Sequence, residues 1–599
     1  GDADEDAQLA EARELSELVA AARAGGDPLA ARTGFLRRAY RSPVDGGLAE
    51  YGLYVPRSFS PAKPRRYPLV VALHGYDGRP MAMLRWFFGG DEPNKEQPWE
   101  ERHLQGLPEL DAFVVAPSGH GNTMYRDLGE DDVMRVIEEV TRLYPIDPAR
   151  VTVTGPSMGG IGAAAVALHH PDVFAAAAPL CGYHSYFVRR DVKDRPIRPW
   201  ERFLMEERSN ALWADNGRTI PMWIVHGTRD LPEENSKVLI DRYEKLGFSI
   251  KHDHPDLGHN VWQWTYEGLK GARWLLGHAR GKPPPTVRFR SARPRYGKAF
   301  GIAIGAHERP DQWAEVEIVR ARDSVDVKTR NVAEIELDPA TLGARVNVDG
   351  RAIDLGAGPT TVRKSAGAFG VEAPAASGLV KRGPLTGPLR DAFHEPLVFV
   401  YGASDPREAG VNEEVARAWA RIRAGVSVSY PVVSDLEAEA RGPSFLDGKS
   451  LFLVGRPSTN RALAAIQAEL PIAVDERGVR VGARRIDGGD VGAAFVFPRP
   501  GAANARGPSA YVVVVAGASA RATLRSLSLP DLLPDFVVYD EAIAPSRGQQ
   551  LIGAGAVRAG GFFGPAWDLP ADLDATRDPE AGKPSPKPRT EHEATPYLP

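Results

Sequence analysis

The chain has 599 residues, a formal net charge of −4 at pH 7, 43% hydrophobic residues and 25% charged residues. This length is too great for one hydrophobic core and predicts about four folding units, and the composition is typical of soluble globular protein. The small negative charge gives no reason to expect a nucleic acid or an anionic membrane as partner. The sequence has no apolar run near the ~18 residues of a transmembrane helix, and its single cysteine, Cys181, excludes an internal disulfide.

Residues 1–45 predict a helical extension packed on the domain that follows. Within it, residues 6–24 place Leu15 and Val19 on one stripe of an amphipathic helix. The chain starts with Gly1 rather than Met. Removal of a signal peptide would explain this start, and so would trimming of the chain. We expect export to the periplasm or the extracellular space.

Residues 46–281 contain a serine in a pattern typical of a catalytic nucleophile. Ser157 lies in Gly155-Pro156-Ser157-Met158-Gly159, after a predicted strand at 150–154 and before a predicted helix at 160–168. A serine between a strand end and a helix start, with glycine two residues away on each side, forms a nucleophile elbow. Such a tight turn exposes the serine above the free N–H groups of the helix. The alternative is a chance Gly/Ser turn.

An acid and a base follow Ser157 in the order of a catalytic triad. Asp230 comes after a predicted strand, and His259 lies on a later loop. We predict that His259 removes the proton from Ser157, and that Asp230 orients the imidazole and stabilises its charged form. Asp256 and Asp253 are alternatives for the acid, but both lie too close along the chain to reach the far side of the ring easily.

Three further histidines and the cysteine are predicted to be structural. His252 and His254 alternate along a predicted strand and could begin a metal site, but no nearby cysteine and no paired-histidine helix supports one. His226 precedes a turn glycine, and Cys181 is interpreted as a buried, inert thiol. We therefore predict no metal and no cofactor.

The oxyanion hole is predicted from a second strand and loop. Residues 68–73 form an apolar strand that enters a loop containing Gly75. Acyl transfer builds negative charge on the carbonyl oxygen, and two backbone N–H groups directed at that oxygen lower the barrier. We assign them to Met158, which follows the nucleophile, and to Tyr76.

Aromatic residues cluster on the loops predicted to surround Ser157. The substrate-binding candidates are Trp86, Tyr183, His184 and Trp262. Aromatic rings suit an aromatic acyl group or a sugar ring. The alternative is that half or more of these side chains only pack the loops, since aromatic residues bury a large area wherever they lie.

These motifs together resemble one group of enzymes, the bacterial α/β-hydrolases around the feruloyl and polyhydroxyalkanoate-type esterases and the catalytic domain of prolyl oligopeptidases. The resemblance covers roughly residues 50–280 and implies an α/β-hydrolase fold with a Ser157, Asp230 and His259 triad. It does not decide between esters and peptides. Pro156 departs from the histidine that many relatives carry before the serine, and with 45 residues ahead of the domain we expect no β-propeller. The segments that carry it are Tyr51-Gly52-Leu53-Tyr54-Val55-Pro56, His74-Gly75, Gly129-Glu130-Asp131-Asp132-Val133, Tyr144 to Val151 and Pro156 to Gly160.

The rest of the chain predicts a small β-sandwich-like domain and then a second α/β domain. Pro283 to Pro285 suggests a stiff linker, and residues 282–365 show patches of alternation typical of short strands. Residues 366–558 contain apolar strands separated by helices, which predicts a parallel sheet covered on both faces. Residues 559–599 are interpreted as a Pro-rich tail. The predicted strands of the parallel sheet begin at Leu397, Ser450, Tyr511 and Phe536, and the predicted helices are 412–424 and 460–470.

These observations predict a serine hydrolase that cleaves carboxylic esters through an acyl-enzyme, of feruloyl, carbohydrate-ester or polyester type. One alternative is a serine peptidase of prolyl-oligopeptidase type, and another is a binding or scaffold protein with a vestigial hydrolase domain. The expected partner is a small ester or peptide substrate, and the oligomeric state stays open. We expect residues 286–558 to position substrate or partner without chemistry, so a chain ending near residue 281 should keep turnover of small esters.

Overall fold

The computed structural model describes residues 2–62, 64–90, 106–189, 197–230, 232–371, 378–383, 385–422, 425–504, 507–543 and 557–571. Among these residues, no helix combines the length and the apolar character that crossing a bilayer requires. The α-helices are α1 Asp2–Arg23, α2 Pro80–Phe87, α3 Leu128–Leu143, α4 Met158–His169, α5 Pro199–Glu207, α6 Asn210–Trp213, α7 Glu234–Leu246, α8 Trp262–Tyr266, α9 Lys270–Leu276, α10 Pro339–Leu342, α11 Pro406–Ala420, α12 Asp435–Arg441, α13 Arg461–Ile466 and α14 Ala520–Arg525.

The first part of the chain builds an eight-stranded sheet in the order β1-β2-β4-β3-β5-β6-β7-β8. Strands β1 and β2 are antiparallel to their neighbours, and the other strands run parallel. The carboxyl ends of β3 to β8 therefore meet at one edge. We call it the catalytic edge because the predicted nucleophile, acid and base follow β5, β7 and β8. The strands are β1 Gly34–Arg41, β2 Leu48–Val55, β3 Tyr67–Ala72, β4 Phe113–Pro117, β5 Ile146–Pro156, β6 Ala176–Leu180, β7 Met222–Val225 and β8 Ile250–Asp253.

Helices cover both faces of this sheet, which gives the α/β fold that the sequence predicts. Strands β3, β4, β6 and β7 are buried at every residue, as expected for parallel strands between two helical layers. Helix α3 buries Val133, Val136, Ile137 and Val140 along one stripe, against the same apolar cluster as α4 and α7. Helices α2, α8 and α9 contribute to a second cluster on the opposite face.

The predicted boundary between residues 45 and 46 is wrong. Strand β1 pairs with β2 along its whole length, from Gly34 opposite Val55 to Arg41 opposite Leu48. Leu36 and Tyr40 are buried under this edge, so residues 34–41 belong to the sheet. Among the described helices and strands, only α1 precedes the sheet.

Residues 286–370 form two five-stranded sheets that share one apolar cluster. Their sheet orders are β10-β11-β14-β17-β18 and β16-β15-β13-β12-β9. Inward residues alternate with more exposed ones along β9 and β12, as a sheet with one covered face requires. The strands are β9 Thr286–Ser291, β10 Lys298–Ala299, β11 Ile302–His307, β12 Ala314–Arg320, β13 Val325–Arg330, β14 Val332–Leu337, β15 Arg345–Val348, β16 Arg351–Asp354, β17 Thr360–Ser365 and β18 Ala368–Gly370.

The last part of the chain builds a seven-stranded sheet in the order β20-β19-β21-β28-β25-β29-β30, with smaller sheets β22-β23-β24 and β26-β27 beside it. We call the described residues from 385 to 567 the C-terminal region. Its strands are β19 Leu397–Tyr401, β20 Val432–Ser434, β21 Ser450–Val454, β22 Ile472–Asp475, β23 Gly478–Val481, β24 Arg484–Asp487, β25 Gly492–Pro498, β26 Ala503–Asn504, β27 Gly507–Pro508, β28 Tyr511–Gly517, β29 Phe536–Tyr539 and β30 Ala559–Gly561.

Two predictions for this region are wrong. The sheet is mixed rather than parallel, because β25 lies antiparallel between β28 and β29, and the sequence analysis did not identify β25 as a strand. The predicted tail boundary at residue 559 cuts the fold, because β30 pairs with β29 and because Phe563 and Trp567 are buried. The rest of the predicted tail, 572–599, lies outside the described residues.

Buried charges join the three parts of the molecule. Arg293, in the segment after β9, contacts Asp127 and Glu207 of the first part and Asp391 of the C-terminal region. His394 of the C-terminal region contacts Asp131 at the start of α3. These residues, with Arg208 and Arg295, form what we call the junction cluster.

Candidate active site

Ser157 occupies a strained backbone position at the end of β5. Its φ of 54° and ψ of −115° lie where a non-glycine residue is rarely found, and α4 begins at the next residue. A Cβ on Gly159 would lie 2.1 Å from the Leu73 carbonyl oxygen, and one on Gly155 would lie 2.4 Å from the same atom. Only glycine therefore allows β5 and α4 to approach β3 this closely. The local geometry is that of a nucleophile elbow.

The structure brings Asp230 and His259 together at the catalytic edge. Asp230 follows β7 and His259 follows β8, and the Nδ1 of His259 lies 2.9 Å from Oδ2 of Asp230. This contact leaves Nε2 on the far side of the ring. That atom is buried and has no hydrogen-bond partner within the described part of the chain. The free nitrogen is the one that a triad uses to take a proton from serine.

The alternative acids have other partners. Asp253 accepts a hydrogen bond of 2.8 Å from the indole nitrogen of Trp223. The side chain of Asp256 is 84% exposed and pairs with Arg229. Neither contacts His259, so Asp230 is the acid that the geometry supports.

A histidine that the sequence analysis interpreted as structural holds the acid loop. The buried ring of His226 contacts the Asp230 carbonyl oxygen at 2.6 Å through Nε2 and the Ser236 hydroxyl at 2.9 Å through Nδ1. By contrast, His252 and His254 lie 3.0 Å from each other on the exposed side of β8. The contact between His226 Nε2 and the Asp230 carbonyl oxygen fixes the backbone that carries the Asp230 carboxylate.

Cys181 lies beside the acid and the base. Ligand atoms of Cys181, Asp230 and His259 lie within 4.8 Å of one another, and they are the group among the described residues that could hold a metal ion. Burial raises the pKa of the Cys181 thiol, which disfavours the thiolate that a metal would require. The described residues therefore favour a triad role for Asp230 and His259 over a metal site.

The predicted oxyanion loop lies against the nucleophile. A Cβ on Gly75 would lie 3.9 Å from the Cβ of Ser157, so the loop after β3 and the elbow are in contact. The loop forms a tight turn closed by the Gly78 N–H and the Gly75 carbonyl at 3.0 Å, with Tyr76 and Asp77 at its centre. Asp77 has a φ of 55°. The geometry is compatible with the assignment of Tyr76 and Met158 as N–H donors.

Asn122 supports this loop and was not singled out in the sequence. Its Oδ1 accepts a hydrogen bond of 2.8 Å from the Asp77 N–H, and its Nδ2 donates to Asp77 Oδ1 at 2.6 Å. Asn122 belongs to the loop between β4 and α3. Its signal would have been an Asn-Thr pair at the carboxyl end of an apolar strand, which is too common a pattern to choose it.

One of the aromatic candidates lies next to His259, and a second lies beside the first. The Trp262 ring meets the His259 ring at a centroid distance of 6.0 Å, and the Trp86 ring lies 5.8 Å from Trp262. Trp86 is on α2 and Trp262 on α8, so the two tryptophans come from separate elements. Both are half-buried.

The other two candidates are buried. His184 has no exposed surface, and its Nδ1 lies 3.1 Å from the Asn210 side-chain nitrogen. Burial, followed by the charges of Arg126 and His226, lowers the pKa of His184 to about 3. The prediction of His184 as a substrate contact is therefore wrong, because the ring is fully buried beside Asn210 of α6 and offers no surface to a ligand. Tyr183 is buried against Tyr186.

Comparisons with known proteins find similarity to esterases in part of the chain. Residues 49–242 match the family model described as putative esterase. Three curated relatives match shorter segments. A putative esterase, NocK, of Nocardia uniformis is 30% identical over 23% of this chain and 39% of its own length. An uncharacterized secreted protein of Arthroderma benhamiae is 26% identical over 32% of this chain and 23% of its own length. The bifunctional acetylxylan esterase/xylanase XynS20E of Neocallimastix patriciarum is 26% identical over 25% of this chain and 21% of its own length.

The matches leave most of each protein uncompared. The chain spans less than two fifths of the length of each of these relatives, and the family model ends before His259. The matched residues do include Ser157, the predicted oxyanion loop after β3 and Asp230. Through residues 49–242, the chain is similar to the family described as putative esterase, in line with the α/β-hydrolase resemblance of its sequence.

Proposed function

We propose that this protein is a serine hydrolase that cleaves carboxylic esters through an acyl-enzyme. The observation that carries the proposal is the position of Ser157. Ser157 lies at a strained turn of the catalytic edge. The loops that carry Asp230 and His259 lie at the same edge. The family match and the two esterase relatives favour an ester as the substrate.

The chemistry follows from these groups. His259 takes the proton of the Ser157 hydroxyl through Nε2 as Oγ attacks the carbonyl carbon, and the Asp230 carboxylate stabilises the imidazolium. The N–H groups of Tyr76 and Met158 receive the negative charge on the oxygen, each contributing about 3 kcal/mol to the transition state. His259 then protonates the departing alcohol. Water, deprotonated by His259, hydrolyses the acyl-enzyme and releases the acid.

The same contacts suggest the shape of the substrate. Trp86 and Trp262 offer apolar rings beside His259. A flat acyl group or a sugar ring would bury against them, and each aromatic contact contributes about 1 kcal/mol beyond its area. We propose an aromatic or carbohydrate ester rather than a polyester.

The domain organisation and the localisation of the protein are also proposals. We propose that residues 34–281 form the catalytic domain, that residues 286–370 and the C-terminal region form two further domains, and that the protein is exported. The separate apolar cluster of residues 287–369 supports the second domain, and the secreted relative supports export.

One labelling experiment tests the nucleophile. A fluorophosphonate probe should label wild-type protein at Ser157 with one probe per chain, and Ser157→Ala should neither label nor hydrolyse p-nitrophenyl acetate. Hydrolysis retained by Ser157→Ala would overturn the proposal. Labelling without turnover of any ester would point to a vestigial site instead.

A substrate panel on one preparation tests the ester preference. Feruloyl, acetylated-sugar and p-nitrophenyl esters should be cleaved at least tenfold better in kcat/KM than matched peptidyl amides. A reversed order would support a peptidase that uses the same triad.

A further inference from the structure

We propose that the C-terminal region positions the oxyanion hole, with Asn122 as the positioning residue and the Gly425 backbone as the support behind it. This inference rests on the proposed function, since it concerns the same site. It assigns to the C-terminal region a contribution to kcat that the sequence analysis did not expect.

The contact begins at Asp77, the residue after the predicted donor Tyr76. The positive φ of Asp77 costs on the order of 1 kcal/mol for a non-glycine residue. Two hydrogen bonds with the buried Asn122 side chain hold it there: the Asp77 N–H donates to Asn122 Oδ1, and Asn122 Nδ2 donates to the Asp77 carboxylate. Because peptide units are rigid, fixing the Asp77 N–H also fixes the peptide plane between Tyr76 and Asp77. The donor N–H of Tyr76 lies in the preceding plane, so only the φ and ψ angles of Tyr76 separate it from the fixed one.

The C-terminal region holds Asn122 in place from the other side. The Asn122 N–H donates to the Gly425 carbonyl at 3.0 Å, and the Ser427 N–H donates to the His120 carbonyl at 3.0 Å. Gly121 and Val426 form an antiparallel bridge between these two bonds. The segment 425–427 therefore pairs with the loop 120–122 as a short strand would.

Gly425 allows this approach because it has no side chain. Its φ is +76°, and a Cβ there would lie 2.1 Å from Asn122 Nδ2. That nitrogen is the atom that donates to the Asp77 carboxylate. Any side chain at position 425 must displace Asn122 and, through it, the oxyanion loop.

The chemical consequence concerns the transition state more than the bound ester. An oxyanion donor acts at the position of the developing charge, so a displacement of a few tenths of an ångström lowers kcat while substrate binding changes little. If the contact only stabilised the loop, a substitution that removed the contact would lower the melting temperature and leave kcat of the folded protein unchanged.

The first test compares two glycines. Gly425→Ala should lower kcat toward p-nitrophenyl acetate by roughly 10- to 100-fold with KM within about twofold. Gly442→Ala is the matched control, because Gly442 has a φ of +79° and nothing within 4 Å of its Cβ. It has a similar positive φ without contact to Asn122. Equal kcat values for the two variants, both folded by circular dichroism, would overturn the inference.

A charge exchange keeps the inference testable if Gly425→Ala does not fold. Asn122→Asp sets two carboxylates against each other and should lower kcat by about tenfold or more, while Asp77→Asn added to it restores a donor and an acceptor. The double variant should recover kcat and the affinity for a boronic acid transition-state analogue. A double variant no better than Asn122→Asp would contradict the inference.

The two proposals fail in distinguishable ways. An inactive wild-type protein would remove the proposed function. Active wild-type protein whose kcat is indifferent to Gly425→Ala and Asn122→Asp would remove only the inference.

Discussion

The catalytic edge and the corresponding edge of the C-terminal region differ in how they use polar side chains. Both are carboxyl ends of buried parallel strands. At the catalytic edge, His259 Nε2 is left without a partner among the described residues and Ser157 is strained. After β19 and β21, Asn460 donates to the carbonyls of Val400 and Val454.

Asp435 shows the same use of a carboxylate for structure. It accepts hydrogen bonds from the Ala403 N–H, the Arg461 N–H and the Ser404 hydroxyl, at 2.8, 2.9 and 2.6 Å. Two α/β sheets thus have different roles, and the polar groups at the carboxyl ends of their strands distinguish the two. At one edge a substitution should cost activity, and at the other it should cost stability.

The largest expected effect is on activity at the catalytic edge. Asp230→Asn should lower kcat by about 10⁴-fold, because an amide no longer fixes the tautomer of His259 or stabilises the imidazolium. Steady-state kinetics on a p-nitrophenyl ester measures it, and the thermal midpoint should change little. Asp256→Asn is the control, since Asp256 is exposed and does not contact His259. A similar loss in both variants would contradict the assignment of the acid.

The next effect is on stability at the other edge. Asn460→Ala removes two donors and the acceptor of the Leu463 N–H from a fully buried position. We expect a loss of about 2–4 kcal/mol in the free energy of unfolding, because buried backbone groups are left unpaired. Urea denaturation measures it. The kcat of the folded variant should stay within twofold of wild type, and a tenfold loss of kcat without destabilisation would reverse the comparison.

The junction cluster should make stability fall in alkaline solution. Burial and Arg295 act to lower the pKa of His394, but the carboxylates of Asp131 and Asp127 outweigh them and raise it to about 9. A raised pKa stabilises the fold fully below the unfolded pKa of about 6.5, and this stabilisation is lost as pH rises through about 9. The expected loss is at most about 3 kcal/mol.

Thermal unfolding between pH 6 and 10 measures this loss, and His394→Gln should flatten the dependence in that range. Asp391 also lies 4.0 Å from the ring, and Arg295 and Glu395 interact with it electrostatically. Arginine stays charged over the whole range. A slope unchanged by His394→Gln would assign the alkaline loss to another group.

The sequence predicted the local features of the site better than the contacts between distant segments. The elbow depends on neighbouring residues, so Gly155 and Gly159 identified Ser157. The order of strands and loops was enough to select Asp230 over Asp256. Gly425 and Asn122 lie about 300 residues apart in the chain, and no periodicity or spacing connects them.

Burial also limited what the sequence could predict. His184 and Trp86 are both candidates on loops or helices near the site, yet His184 is enclosed and Trp86 is half-exposed. Strand β25 was not identified at all, and an apolar run would not have encoded its antiparallel direction. The expectation that a chain ending near residue 281 keeps its activity no longer follows, since such a chain lacks Gly425 and the partners of the junction cluster.

The smallest expected effect concerns substrate choice at the catalytic edge. Trp86→Ala removes the ring that faces Trp262, which itself meets His259. The loss of one aromatic contact of about 1 kcal/mol should raise KM for feruloyl esters about fivefold and leave KM for acetyl esters unchanged. Trp264→Ala is the control. Trp264 lies on α8, the helix that carries Trp262, but its ring is covered by the Lys270 ammonium. If feruloyl and acetyl esters respond equally to Trp86→Ala, the tryptophan pair packs the loops and the acyl group binds elsewhere along the edge.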